Sequence, residues 1–538
     1  MTHLYADTIL YNGSIVAMDE EKRTYQAAAL KDSKILALGN EQLMKNYSGP
    51  YTEAINLEGK TVLPGFIDAH QHIFNTGFNL LTINCDFSSS SEIVEAIKKR
   101  AEESHPDEWI IGWGYNESNF SEDRPLDQYT FTDIENPIFI ARYCLHTAVV
   151  NGRALELAGI SRDTVIEGGI IEKDPHGKPT GILKEKAMEL VKSVMPPHTE
   201  ESLSEMVIRA NHEYIRNGIT SVHEAGLGFF SGSMEEFKVL QQLSEAKKLN
   251  VRIYAMILTD FFKHLNGVKL QGNFGNENLK VGSVKLFCDG TLGGQTAAMS
   301  RPYANNRANT GIYMYSDQEL ENKITEAHQA GYQIAVHAMG DAAIEKILTL
   351  FEKALQTYPR SDHRHRIEHA AVTRDDLIQK MKDLGVIPVP QYGLIHDMGD
   401  IYMKVLDQPA YNYVFASKTF YDAGLKPAGS SDSPVIDFSP LAGIYAAMSR
   451  ETKNKSVFLP EQRLSLVEAI ETYTAFAARA SFDENIKGTL EVGKLADMVV
   501  LPANFMQFSA EEVKNTEVDM TIIGGEIVFQ RERSHQHG

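Results

Sequence analysis

The stretch GFIDAHQH (65–72) decides the reading of the fold. It starts apolar and ends in side chains that can bind a metal. Further strand candidates are GITSVHEA (218–225), RIYAMIL (252–258), SVKLFCDG (283–290), YQIAVHAMG (332–340), HRIEHA (365–370), VIPVPQ (386–391) and KPAGSSDS (426–433). Amphipathic stretches of helical period lie between these runs. Short apolar runs alternating with helices are the mark of a parallel sheet with helical crossovers. Eight such units between residues 61 and 484 fit an α/β fold, a (β/α)8 barrel with insertions. Polar residues close almost every run, which favours a closed barrel over an open doubly wound sheet.

Outward from the barrel, residues 5–60 read as short β segments broken by Gly, Asn and Asp. The C-terminal runs GTLEVGKLADMVVLPAN and VDMTIIGGEIVFQRE have the same style. Neither end is long enough for a good sheet sandwich alone. The expectation is one small composite β-sandwich from 1–60 and 485–538. The gap after the first barrel strand is too long for one helix, so an inserted subdomain is expected at about 78–200. Within it, EWIIGWGYNES (108–118) and PIFIARYCLHTAVVN (137–151) read as extra strands, and GGIIEKDPHGKPTGIL (168–183) as a hairpin.

The chain has 538 residues, 43 % apolar and 23 % charged, which supplies a full core and excludes disorder, collagen and a disulfide scaffold. Its formal charge is 52 − 72 = −20. An acidic surface repels phosphate backbones and anionic membranes, so neither is an expected partner. Cys85, Cys144 and Cys288 are far apart with no CxxC, as in a reducing compartment. The N-terminus has no basic start followed by an apolar core, and no run of 18 apolar residues occurs. A cytoplasmic protein is expected.

His70 and His72 alternate on a strand, so both side chains point the same way and can chelate one metal. An HxH pair alone is as easily two polar residues near a barrel mouth. His337, His369 and Asp432 each end another apolar run. Singly, each is more often a capping group. Together they converge, because strand ends of a barrel meet in one pocket. Imidazoles with a carboxylate are what Zn²⁺ or a similar borderline cation selects. Lys285 falls inside an apolar strand, where desolvation would keep its amine neutral and nucleophilic. It either pairs with Asp289 or Glu224, or captures CO2 to become a carbamate bridging two metals. His363 and His365, in HRHRIEH, are expected to face solvent or a neighbouring loop. HEAGL (223–227) and HEYIR (212–216) lack the second histidine of HExxH, and EGKT (58–61) has Ala54 where a P-loop needs glycine.

The set GFIDAHQH, VKLFCDG, VHAMGD, RIEHA and GSSDSP resembles the amidohydrolase superfamily. More narrowly it resembles amidohydrolase family 3, the YtcJ-like branch that includes N-substituted formamide deformylases. Further support comes from WIIGWGYNES, LHTAVVN, DGTLGGQTAAMSRPY and TAFAARA. The resemblance covers nearly the whole chain. It implies a deformed (β/α)8 TIM barrel with a composite β-sandwich. It also implies two divalent metal ions, Zn²⁺ being expected, on His70, His72, N6-carboxylated Lys285, His337, His369 and Asp432. One departure is Glu224, where relatives often carry aspartate; it either competes with Lys285 as the bridging anion or, the favoured reading, contacts a ligand side chain or substrate.

The chemistry implied is hydrolysis of a C–N bond, of amide or N-formyl type, by metal-activated hydroxide. Asp432 would act as general base and then acid. His146, from the insertion, is either a donor to the developing oxyanion or a structural histidine. Trp113, Tyr115, Glu224 and Arg301 are candidate substrate contacts. The expected partner is a small-molecule amide or formamide, and such barrels are commonly homodimers. Two alternatives stand. A mononuclear ring deaminase would usually carry glutamate three residues after His337, where Gly340 stands. A catalytically silent binding protein would be marked by lost ligands, and all six are present.

Overall fold

The computed structural model describes residues 4–117, 120, 126–142 and 147–532. The chain divides into two compact units, one of residues 1–74 and 210–538 and one of residues 75–209.

In the first unit, seven parallel strands form one sheet. They are β1 (Phe66–Gln71), β2 (Ile219–Leu227), β3 (Arg252–Leu258), β4 (Leu279–Phe287), β5 (Ile334–Ala338), β6 (Arg366–His369) and β7 (Ile387–Val389), neighbours in chain order. They are buried along almost their whole length, as a parallel sheet covered by helices requires. Local sequence sets the helices between them. Ser316 and Glu319 form a capping box that starts Asp317–Gln329. Gly385, at φ +70°, ends Asp375–Leu384 in the left-handed conformation that suits glycine.

The eighth expected strand, KPAGSSDS, is not a strand. Residues 426–433 still close the barrel by single bonds: Ala428 N–H to Pro388 O (3.1 Å), Ala69 N–H to Gly429 O (3.2 Å) and Asp432 N–H to His70 O (2.7 Å). The segment has no β-branched residue and only small side chains around the closure, so it has little strand propensity. A side chain replaces part of the ladder. Asp68 accepts from Ser431 N–H at 3.1 Å and from the Ser431 hydroxyl at 2.5 Å. Ile67, Ala69, Ile387, Val389, Ala428 and Ala477 pack beneath this seam.

Two further sheets belong to this unit, the first N-terminal alone and the second built from both ends of the chain. One has four strands, Lys34–Gly39, Ala27–Lys31, Thr8–Tyr11 and Glu53–Asn56. The other runs Glu526–Gln530, Met520–Ile523, Met498–Ala503, Lys60–Pro64, Ser14–Val16 and Thr24–Tyr25. Val499 pairs with Leu63 in antiparallel register. The two sheets share an apolar core that includes Leu10, Leu30, Val62, Met498 and Ile522. Truncating one of these to alanine is expected to cost about 2–5 kcal/mol.

His363 and His365 correct the sequence reading. They are buried, at 4 % and 0 % exposure, at the foot of the barrel. The run HRHR is charged, but the start of β6 packs against neighbouring elements. Only the arginine there reaches outward, Arg364 pairing with Asp362 and Glu484.

The second unit holds a six-stranded sheet in the order Gly169–Lys173, Pro179–Glu185, Thr147–Val150, Ile138–Arg142, Ile110–Tyr115, Ile83–Asn84. Two apolar cores flank this sheet, and a bulge between Trp113 and Tyr115 sends those two residues to different ones. Tyr115 lies in one with Cys85, Ile110, Ile138 and Val149; Trp113 packs on the other with Phe139 and Val150. Among the described residues no helix is long and apolar enough to cross a membrane.

Candidate metal centre at the barrel mouth

Strand register places the candidate ligands at or just below the C-terminal ends of neighbouring strands. Phe287 of β4 pairs with His337 of β5, and Ala338 pairs with His369 of β6. Lys285 is two residues before Phe287. His70 lies near the end of β1 and His72 just beyond it.

The tightest group is His70, His72 and Asp432, whose donor atoms all lie within 4.8 Å of one another. His70 Nε2 is 3.3 Å and His72 Nε2 3.4 Å from Asp432 Oδ1. Lys285 Nζ is 3.4 Å from His70 Nε2. The ring centroids step round the mouth: His72 to His70 at 5.6 Å, His70 to His369 at 5.0 Å, His369 to His337 at 4.4 Å. His369 takes a strained φ of +70° to turn its ring there.

Three of the four histidines, all but His72, have one nitrogen engaged from behind. His70 Nδ1 is 2.5 Å from Glu368 Oε2. His369 Nδ1 is 2.6 Å from Gln391 Oε1, and the Gln391 amide donates to Val389 O and Ser430 Oγ, each at 2.9 Å. His337 Nε2 donates to Gly290 O at 2.9 Å. His72 Nδ1 is 3.7 Å from Glu224 Oε1, and Glu224 Oε2 accepts from Ile73 N–H at 2.6 Å. A partner of this kind fixes a ring's tautomer and leaves its second nitrogen with a free lone pair.

Electrostatics follow from burial and neighbours. For Asp432, burial works against ionisation, but hydrogen bonds from His70 and His72 hold the carboxyl well below its usual range. Burial pulls His72 down, and Asp432 and Glu224 outweigh it, to about 9. Burial lowers His337 to about 4 and drives His369 down as well. It also lowers Lys285 to about 8, partly offset by Glu368 and Asp432. Asp289 is not the lysine's counter-ion. Its carboxylate accepts the N–H groups of Ala298, Met339 and Gly340 at 2.9–3.0 Å, and burial pushes it up to about 7.

The mouth therefore brings together His70, His72, Lys285, Glu224, His337, His369 and Asp432. Arg301 belongs to the same unit, with a side chain 59 % exposed and paired with Asp407 at 2.7 Å. Trp113 and Tyr115 belong to the second unit's cores. His146 lies outside the described residues. Sequence reasoning missed Glu368, Arg366, Gln391 and Asp68. A charged pair inside the apolar run RIEHA was the available signal for two of them.

Comparison with known proteins decides the family. Residues 53–529 match the model of the amidohydrolase family. The chain belongs to the amidohydrolase family. This amidohydrolase is 30 % identical to the YtcJ protein of Bacillus subtilis (strain 168), over 97 % of this chain and 99 % of that one. It is 26 % identical to the N-substituted formamide deformylase of Arthrobacter pascens, with 98 % of each chain covered. Among solved structures it superimposes on an uncharacterized metal-dependent hydrolase from Pyrococcus horikoshii OT3. There the TM-score is 0.79 and the identity 25 %, over 94 % of this chain and 99 % of that one.

Proposed function

We propose that this amidohydrolase uses divalent cations at the barrel mouth to hydrolyse a C–N bond in a small amide or N-formyl amine. The observation that carries the reading is the convergence of His70, His72 and Asp432 beside a buried lysine. The donor set fits a borderline cation such as Zn²⁺: imidazoles, all but His72 anchored from behind, with one ionised carboxylate. The formamide deformylase likeness supports an N-formyl substrate.

His70, His72, His337, His369 and Asp432 would hold the ions. Bound there, cations polarise a carbonyl and lower the pKa of water. Asp432, ionised at neutral pH, takes a proton from the attacking water. That oxygen bonds to the carbonyl carbon, the C–N bond breaks, and Asp432 returns the proton to the leaving nitrogen. Burial lowers the Lys285 amine to about 8, which favours its neutral, nucleophilic form more than in a free lysine. That amine would add to CO2, forming an N–C bond and releasing a proton, to give a carbamate whose oxygens would help hold the ions. Glu224 acts by accepting the Ile73 N–H, which fixes the backbone next to His72.

The test is metal content per chain of protein purified without chelator, for the wild type and Lys285→Ala. About two ions falling in the variant supports the lysine-bridged centre. The wild type should then turn over members of an N-formyl and N-acyl amine panel. One ion in both proteins would move a mononuclear deaminase-like reading forward, and metal-free wild type would overturn the proposal.

A further inference from the structure

The barrel interior holds a charged pair that the proposed chemistry does not use. Arg366 and Glu368 are two residues apart on β6, so they share its inward face. Both are fully buried. Arg366 Nε is 2.7 Å from Glu368 Oε1, and Nη2 is 2.9 Å from Oε2, a two-pronged fork. The other guanidinium donors reach across the barrel, Nη2 to Ala69 O at 2.6 Å and Nη1 to His223 Nδ1 at 3.0 Å.

Such a pair is a poor way to stabilise a core. Apolar side chains of similar volume commonly do as well or better, because two charges must leave water. Its other contact is informative. The Glu368 oxygen in the fork is also the one 2.5 Å from His70 Nδ1.

We infer that Glu368, braced by Arg366, is the positioning residue that fixes the tautomer and aim of His70 for a cation at the barrel mouth. The inference rests on the metal-dependent reading above. A guanidinium cannot give up its proton in a protein, so the carboxylate facing it stays ionised and accepts only. Nδ1 of His70 must then carry the proton. The lone pair falls on Nε2, the atom beside Asp432 and Lys285. His369 is held by a neutral amide, Gln391, instead. A carboxylate partner makes imidazole the more basic ligand, so His70 is the stronger donor of the two.

The test separates ligand orientation from fold stability. The proteins are the wild type, Arg366→Met/Glu368→Gln and Glu368→Asp. The double variant removes both charges and leaves an amide to face His70. Glu368→Asp keeps the charge and pulls the oxygens back by one methylene. Zinc affinity of metal-stripped protein is measured by chelator competition, and thermal unfolding on the same metal-free samples. The expected result is zinc affinity weakened roughly 10- to 100-fold in the double variant, with its unfolding temperature kept or raised. A smaller loss is expected in Glu368→Asp, which decides the question if the double variant does not fold. Wild-type zinc affinity in the folded variants overturns the inference and leaves the metal-dependent reading standing. A wild type that binds no zinc overturns both.

Discussion

The two ends of β6 carry histidines with opposite fates. At the foot, every ring nitrogen of His328, His363 and His365 has a partner within the fold. His328 Nδ1 meets His365 Nε2 at 2.9 Å, and His328 Nε2 meets Tyr358 O at 2.7 Å. His365 Nδ1 accepts from Ile334 N–H, and His363 bonds Leu384 O and His365 N–H. At the mouth, His70, His337 and His369 are each anchored through one nitrogen, and His70 and His72 turn Nε2 towards Asp432. Burial is alike at both ends. Burial therefore does not mark a candidate ligand; an uncommitted nitrogen opposite a charged group does.

The sharpest way to break this contrast is Asp432→Asn. It removes the only carboxylate shared by His70 and His72 among the described residues. Turnover of an N-formyl or N-acyl amine is expected to fall at least about 10³-fold, with circular dichroism unchanged. Activity within tenfold of wild type would place proton transfer elsewhere.

Next comes a paired truncation, His369→Ala at the mouth and His365→Ala at the foot. The first should lose bound metal by elemental analysis. The second should keep it and unfold at lower temperature, because His328 and the Ile334 amide lose their partner, about 1–3 kcal/mol for each buried group. Equal metal loss in both would erase the distinction between the two ends.

The smallest effect is on pH dependence. Burial holds His328, His363 and His365 below the ordinary histidine value. In the folded protein they stay neutral, whereas the unfolded chain takes up protons below about pH 6.5. The unfolded state then binds more protons, so stability is present above that pH and is lost as pH falls through it. His363→Asn should give a shallower slope between about pH 6.5 and 5, in urea unfolding of metal-free protein. An unchanged slope would remove His363 from the titrating set.

Much of the mouth was legible because strand period and strand ends are sequence properties. HxH on an apolar strand put His70 and His72 on one face, and a lysine in SVKLF stood out as a charge in the wrong place. The same reasoning applied to RIEH would have found Arg366 and Glu368. Their side chains meet partners on β1 and β2, more than a hundred residues away, which no local pattern encodes. KPAGSSDS was misread as a strand because its position in the βα rhythm outweighed its lack of β-branched residues. HRHR looked solvated because charge density in sequence cannot say which side of a strand's start is covered.

The strand Lys60–Pro64 pairs with Met498–Ala503, which follows it more than 400 residues later. At about 5–20 residues per second, synthesis leaves that edge open for roughly 20–80 s. An unpaired edge is a template for wrong partners throughout that interval. The clasp between the two ends therefore sets the order of biogenesis: the segment that leads into His70 is made first, yet it cannot be locked until almost the whole message has been read.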